Sequence, residues 1–322
     1  MRLPEDLSNA ITHELSSIPR SSLAAAAEQL SARYRNPERD KKQIFMTDDL
    51  HRLAYLAVRM PATYAAVWRV MNELQKRLPD FMPDSLTDIG AGPGTASWAA
   101  LQVFTDIAKV SLHEKDSQWL EIGRNLMQQS QSKALQAAHW EKSDLQTEFQ
   151  IEASDLVILS YVIGELPHEK ILPAISQAWH NTAKIIVIIE PGTTHGFERI
   201  RLVREHLISQ GAFMVAPCPH CKACPMPKDD WCHFTQRLER STTHMLVKEV
   251  AVGYEDEKFS YVIFSREAAE LPQARILRHP QSHSGHIDLM VCALDGLKKQ
   301  IISRRMGDLY KQARKLEWGD IL

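Results

Sequence analysis

The feature that most limits what this chain can fold into is the run Leu86-Thr87-Asp88-Ile89-Gly90-Ala91-Gly92-Pro93-Gly94-Thr95. A short apolar stretch leads into three alternating glycines, and a helical pattern over residues 97–103 follows. Glycines let a backbone turn tightly and approach a ligand with no Cβ in the way. The N-terminus of the helix behind them presents free N–H groups. Strand, glycine turn and helix in that order predict one unit of a doubly wound α/β sheet, with a ligand crevice at the carboxyl ends of its strands.

The rest of the chain repeats this rhythm. Short β-rich runs at residues 86–89, 109–113, 156–159, 185–189, 245–250 and 261–264, with a further short strand near Trp140, alternate with helical stretches. Apolar runs separated by helices predict a parallel sheet covered on both faces. The last two runs leave no room for a helix between them and predict an antiparallel hairpin at the sheet edge. Ahead of the sheet, residues 1–80 read as a helical region, with a charged linker at residues 33–42. Residues 81–211 and 245–266 make the Rossmann-like core, and residues 212–244 form a cysteine- and proline-rich insert. In the tail, residues 267–322, one apolar run at 287–294 precedes a basic helical segment at 298–315.

The glycines alternate, unlike those of the usual dinucleotide fingerprint, and Asp88 leads them. That form is typical of S-adenosylmethionine sites, so the expected architecture is the class I methyltransferase fold. Asp88, Gly90, Gly92, Gly94 and Thr95 are the candidate cofactor cradle. Glu114 ends the next strand, where an acid accepts ribose hydroxyls. Asp144 follows the third strand on the adenine side, and Ser160 ends the fourth strand at the switch point. The plain alternative is a helix-packing glycine turn with ordinary surface acids. No catalytic base is assigned. An Asp/Asn-Pro-Pro-aromatic motif is absent after the fourth strand, which reads Ser160-Tyr161-Val162-Ile163-Gly164-Glu165-Leu166. Pro217-Cys218 falls inside a cysteine cluster and is not read as a nucleophile. Glu190-Pro191-Gly192-Thr193 either lines the acceptor side or caps a helix.

The 322 residues include 44% hydrophobic and 24% charged side chains at a net charge of −2, so nucleic-acid contact has to come from local patches. Candidate phosphate contacts are Lys298, Lys299, Arg304, Arg305, Lys311, Arg314 and Lys315, joined by Arg33 and Arg35. No leader-type apolar run opens the sequence, and residues 185–189 are too few to cross a bilayer. The expectation is a cytoplasmic protein with no membrane partner, monomeric off any larger assembly. In a reducing compartment its five cysteines are expected as thiols or metal ligands. Four of them fall in Pro217-Cys218-Pro219-His220-Cys221-Lys222-Ala223-Cys224-Pro225 and Trp231-Cys232-His233-Phe234, and Cys292 lies far downstream. Close cysteines among prolines suit zinc or an iron–sulfur cluster. Cys221 and Cys292 are alternative fourth ligands.

Taken together, Asp88–Thr95, Gly164-Glu165-Leu166, Glu190–Thr193, the cysteine stretch and the terminal Tyr310, Ala313-Arg314-Lys315 and Trp318-Gly319-Asp320 resemble the Rsm-type methyltransferase-like family of the mitochondrial small ribosomal subunit, which has bacterial members. The resemblance runs from about Arg33 to Asp320. It implies a class I methyltransferase fold, a 4Fe–4S cluster and association with the small ribosomal subunit during its assembly. By position, it assigns the cluster to Cys218, Cys224, Cys232 and Cys292, with the tail completing the site and Cys221 an extra thiol. The leading expectation is an rRNA methyltransferase or assembly factor acting on that subunit. A catalytically silent ribosome-binding protein and a small-molecule or protein methyltransferase with a zinc site are the alternatives.

Overall fold

The structure, a computed structural model, describes residues 1–35, 48–147, 149–248 and 250–322. Most of the charged linker and the side chains of Arg33 and Arg35 lie outside the described residues. The chain opens with helices α1 (Glu5–Leu15), α2 (Arg20–Arg35), α3 (Asp49–Val58) and α4 (Met60–Arg77). Asp48 caps α3 by accepting from the His51 amide, and Pro61 starts α4 where no amide hydrogen is needed. Among the described residues, no helix is long and apolar enough to cross a membrane.

The core then runs β1 (Ser85–Ile89), α5 (Thr95–Leu101), β2 (Lys109–Glu114), α6 (Ser117–Gln128), α7 (Lys133–Gln136), β3 (His139–Lys142), β4 (Ser154–Ser160), α8 (His168–His180), β5 (Thr182–Pro191), α9 (Thr194–Ser209), β6 (Phe213–Ala216), β7 (Phe234–Glu239), α10 (Thr242–Lys248) and β8 (Tyr254–Ser265). Its strand order is β3-β2-β1-β4-β5-β8-β6. The first five strands are parallel, while β8 runs antiparallel to both β5 and β6. This order, with the reversed strand inserted between its last two neighbours, is that of class I methyltransferases. The apolar run in β5 shows why the strands read as continuous. Ile185, Val187 and Ile189 belong to the core on one face, and Ile186 and Ile188 to the core on the other.

Two readings of the sequence are corrected here. Residues 245–250 were expected as a strand, but 242–248 form helix α10. The Ser241 hydroxyl caps it through the His244 amide, which competes with strand formation. The true hairpin partner of β8 is β7, whose register pairs Phe234 with Phe259 and Leu238 with Glu255. The expected insert at 212–244 therefore includes two sheet strands and the start of α10, and its longest stretch without helix or strand is residues 217–233.

The second correction concerns the tail. It folds into a separate antiparallel sheet of β9 (Ala274–Ile276), β10 (Gln281–Ser282), β11 (His286–Ala293) and β12 (Gly296–Ser303), followed by a short α11 (Asp308–Ala313). The expected basic helix at 298–315 is thus strand up to Ser303 and helical only from Arg304, as a 3-10 turn and the short α11. Leu294 and Asp295 form a two-residue loop, and Gly296 takes a φ of 115° that an L side chain would resist. β-Branched Ile301 and Ile302 then favour the strand.

Candidate functional site

Each of the three glycines in the loop after β1 has a positive φ, and each has a different neighbour. A Cβ on Gly90 would collide with the Val162 side chain, and one on Gly94 would meet Met127. A Cβ on Gly92 would find nothing within 4 Å, so there the backbone faces open space. The loop is tied to β2 by the Gly90 and Ala91 amides, which donate to the His113 carbonyl at 2.8 and 3.1 Å.

The two acids of the expected cradle have distinct tasks. Asp88 is buried and turns toward α5, where its Oδ2 accepts from the amide and hydroxyl of Ser97 at 3.1 and 2.9 Å. Burial pushes its carboxyl up to about 7, against the pull of these two donors. Asp88 therefore fixes the loop against the helix. Glu114 ends β2 with Oε2 accepting from the Gly92 amide at 2.8 Å and Oε1 from the Asp116 amide at 2.9 Å. Burial raises this carboxyl as well, while its backbone donors favour the ionised form. A carboxylate offers about four acceptor positions, so capacity remains for a ribose hydroxyl. Asp144 lies in the loop after β3 and accepts from the Gln146 amide at 2.9 Å. The hydroxyls of Thr95 and Ser160 are buried with no hydrogen-bond partner among the described residues. Open space at Gly92, orphaned hydroxyls and a carboxylate at the end of β2 fit a polar adenosyl ligand.

On the acceptor side of β4, Tyr161 holds a left-handed φ of 59°, a strained conformation for an aromatic residue. Its hydroxyl donates to Glu257 Oε1 at 3.1 Å, and Arg59 meets the same carboxylate at 3.2 Å. Glu190, at the end of β5, is fully buried, and burial pushes it up to about 7 against the Arg199 charge and the Gly164 and Ile163 amides. A Cβ on Gly164 would stand 2.8 Å from Glu190 Oε2. The Gly164-Glu165-Leu166 and Glu190-Pro191-Gly192-Thr193 runs are thus two halves of one contact. The same Glu190 run also meets the cysteine segment, because Trp231 Nε1 donates to the Gly192 carbonyl at 2.9 Å. Thr193 caps α9 through the Gly196 amide.

Cys218, Cys224, Cys232 and Cys292 line one cavity of about 40 Å³, together with His220. Cys221 is exposed and does not line it. Two buried arginines, unremarked in the sequence, shape the cavity. Arg204 of α9 donates to the carbonyls of His220 and Lys222, both at 2.8 Å. Arg275 of β9 donates to the carbonyls of Pro217 at 2.9 Å and Gly319 at 2.7 Å, and pairs with Glu73 of α4 at 2.7 Å. Gly319 belongs to the terminal Trp-Gly-Asp run, so Arg275 joins the cysteine segment, the tail and the helical region. Burial pushes the thiols of Cys218, Cys232 and Cys292 up, that of Cys292 to about 12, while the Arg204 charge pulls Cys218 back. Among the described residues, no three donor atoms of this group lie within 4.8 Å of one another. Ligands of a single zinc, each about 2.3 Å from it, stand about 3.8 Å apart.

Of the basic residues expected to meet RNA, Lys298 pairs with Asp295, Lys299 with Asp288 and Lys311 with Asp308. Arg304, Arg305, Arg314 and Lys315 are exposed, with no ion pair among the described residues.

A family model described as mitochondrial small ribosomal subunit Rsm22 matches residues 49–322. The chain is 28% identical over 294 residues to the human ribosome assembly protein METTL17, mitochondrial, covering 84% of this chain and 62% of that protein. It is 26% identical over 339 residues to the Rsm22-cox11 tandem protein 2, mitochondrial, of Schizosaccharomyces pombe, covering 88% of this chain and 44% of that protein. The chain thus spans under two thirds of the length of these relatives. Among solved structures it is similar to an O-methyltransferase family protein from Burkholderia thailandensis, at 10% identity and a TM-score of 0.46, covering 78% of this chain and 73% of that one.

Proposed function

Because this chain belongs to the Rsm22 family, we propose that it is a methyltransferase-like protein that binds S-adenosylmethionine, carries an iron–sulfur cluster and serves assembly of the small ribosomal subunit in the cytoplasm. The observation that carries the cofactor reading is Gly92, the one glycine of the loop whose missing Cβ leaves open space instead of avoiding a protein atom. In this reading Glu114 holds the ribose, Asp144 flanks the adenine, and Asp88 keeps the loop in place from behind. The bound cofactor would supply an electrophilic methyl group. The chain's own part is to orient it and keep water from it.

The cysteine quartet supports a cluster over a lone zinc ion. Its four members come from two parts of the chain and share one cavity, and their sulfurs are not drawn together as a single zinc would require. Arg204, which donates to backbone carbonyls, supplies positive charge beside the cysteines, which a buried anionic cluster needs. A cluster there would cross-link the segment to the small sheet and contribute folding free energy directly.

A catalytically silent cofactor binder is the second reading, and one observation favours it. Tyr161, which follows β4, and Glu257 are already engaged with each other and with Arg59. Anaerobically purified protein should bind S-adenosylmethionine in calorimetry and cross-link to small-subunit rRNA. Labelled cofactor then separates the readings, since methyl transfer to assembling small subunits supports an enzyme and its absence supports the silent binder. Failure to bind either cofactor or rRNA would overturn both.

A further inference from the structure

A second group of metal-ligating side chains stands on the small sheet, and none of its members lines the cysteine cavity. The local sequence is Gln281-Ser282-His283-Ser284-Gly285-His286-Ile287-Asp288. β10 and β11 pair through Ser282 and Ile287, and the His283 amide donates to the His286 carbonyl at 2.9 Å, closing a turn at Ser284-Gly285. Residues two apart on a strand share a face, so His286 and Asp288 project together. The turn folds His283 back beside them. Its ring stacks on that of His286 with centroids 4.5 Å apart and planes 15° from parallel.

The ring nitrogens converge on one carboxylate. His283 Nε2 lies 3.4 Å from Asp288 Oδ2, and His286 Nε2 lies 3.4 Å from Asp288 Oδ1. All three donor atoms fall within 4.8 Å of one another. Asp288 is buried, and a cation already reaches it from the next strand, since Lys299 Nζ lies 2.7 Å from Oδ2.

We propose that His283, His286 and Asp288 form a binding site for a divalent transition ion of the zinc type, with Lys299 as its resident competitor. Nitrogen and oxygen donors about 2.0–2.1 Å from one zinc stand about 3.3 Å apart at tetrahedral angles, close to the spacing seen here. Two imidazoles and a carboxylate are borderline ligands that suit zinc, cobalt or nickel better than calcium or magnesium. Three protein donors leave the fourth position open to water or a partner's side chain. The site differs from the cysteine cavity in having no sulfur, and this makes the two separable by spectroscopy.

The test uses the full chain in its as-isolated state, titrated with Co²⁺ and, by calorimetry, with Zn²⁺. One equivalent of Co²⁺ should give weak visible absorption without the intense near-ultraviolet band of sulfur ligation. His283→Gln, at an exposed position outside both cores, should weaken Zn²⁺ binding tenfold or more, as should Asp288→Asn. Lys299→Met should tighten it about tenfold, a gain that no misfolded variant would show. Unchanged Zn²⁺ stoichiometry and affinity in His283→Gln, or no gain in Lys299→Met, would overturn the proposal.

Discussion

The sulfur of Cys292 lies 3.7 Å from Nε2 of His220, although 72 residues separate them in the chain. β11 thereby delivers a buried thiol from the small sheet into the cysteine segment, and Cys221 is left facing solvent. Cys292→Ser should therefore lose the iron of anaerobically purified protein and expose the tail to limited proteolysis. Cys221→Ser should keep both the iron and the protection. Iron analysis and a protease time course check this, and the reverse pattern would move the fourth ligand to Cys221.

The three glycines of the loop should separate in their effects. Gly90→Ala places a methyl group against Val162 and should destabilise the fold without any ligand present. Gly92→Ala meets no protein atom and should cost only the left-handed backbone strain, about 1–2 kcal/mol. Its S-adenosylmethionine affinity should nonetheless fall tenfold or more, and that of the bulkier Gly92→Val further still. Urea unfolding and calorimetry run together distinguish the two losses. An unchanged affinity in both Gly92 variants would remove the cofactor from this loop.

The sequence made the parallel core legible because a strand buried on both faces is apolar at every position, as in Ile185 to Ile189. The edges were less legible. Phe234–Glu239 has only Phe234 and Leu238 as apolar residues and lies beside a cysteine cluster, so it read as insert. Met245-Leu246-Val247 read as strand, though Ser241 starts a helix there. In the tail, charge hid the period-two pattern, and a row of lysines and arginines looked helical. The glycine cradle could be named from its spacing and the cysteine stretch from its density, whereas Cys292 joined that stretch only through the family resemblance. Arg204 and Arg275 could not, because an arginine on an amphipathic helix or in a short strand looks solvated until tertiary packing buries it. The Glu190–Gly164 contact was likewise visible only as two separate motifs.

Asp88 sets a pH dependence with a definite sign. Its carboxyl is raised from 3.8 to about 7 by burial, so between those values the folded chain holds a proton that the unfolded chain has released. Stability should fall as pH rises through this window and level off above about 7. The shift corresponds to about 4 kcal/mol at most. Glu190 is raised for the same reason and contributes over the same range, so the Asp88 part is the difference between wild type and Asp88→Asn. Chemical denaturation at a series of pH values should give a flatter profile for the variant. Parallel profiles would mean that Asp88 titrates in the fold as it does in the unfolded chain.

RNA binding should depend on only part of the basic tail. Arg304 and Arg305 are exposed and lack ion pairs among the described residues, whereas Lys298 is already neutralised by Asp295 at 2.9 Å. Each phosphate contact releases counterions and adds about 0.7–0.9 to the slope of log affinity against log salt. Charge reversal at Arg304 and Arg305 together should therefore lower that slope by about 2 for small-subunit rRNA. Reversal at Lys298 should change it little, because its charge is committed within the hairpin. Filter binding across a salt series measures both. A slope that is flat in wild type, or equally reduced by the Lys298 variant, would show that the RNA meets another face.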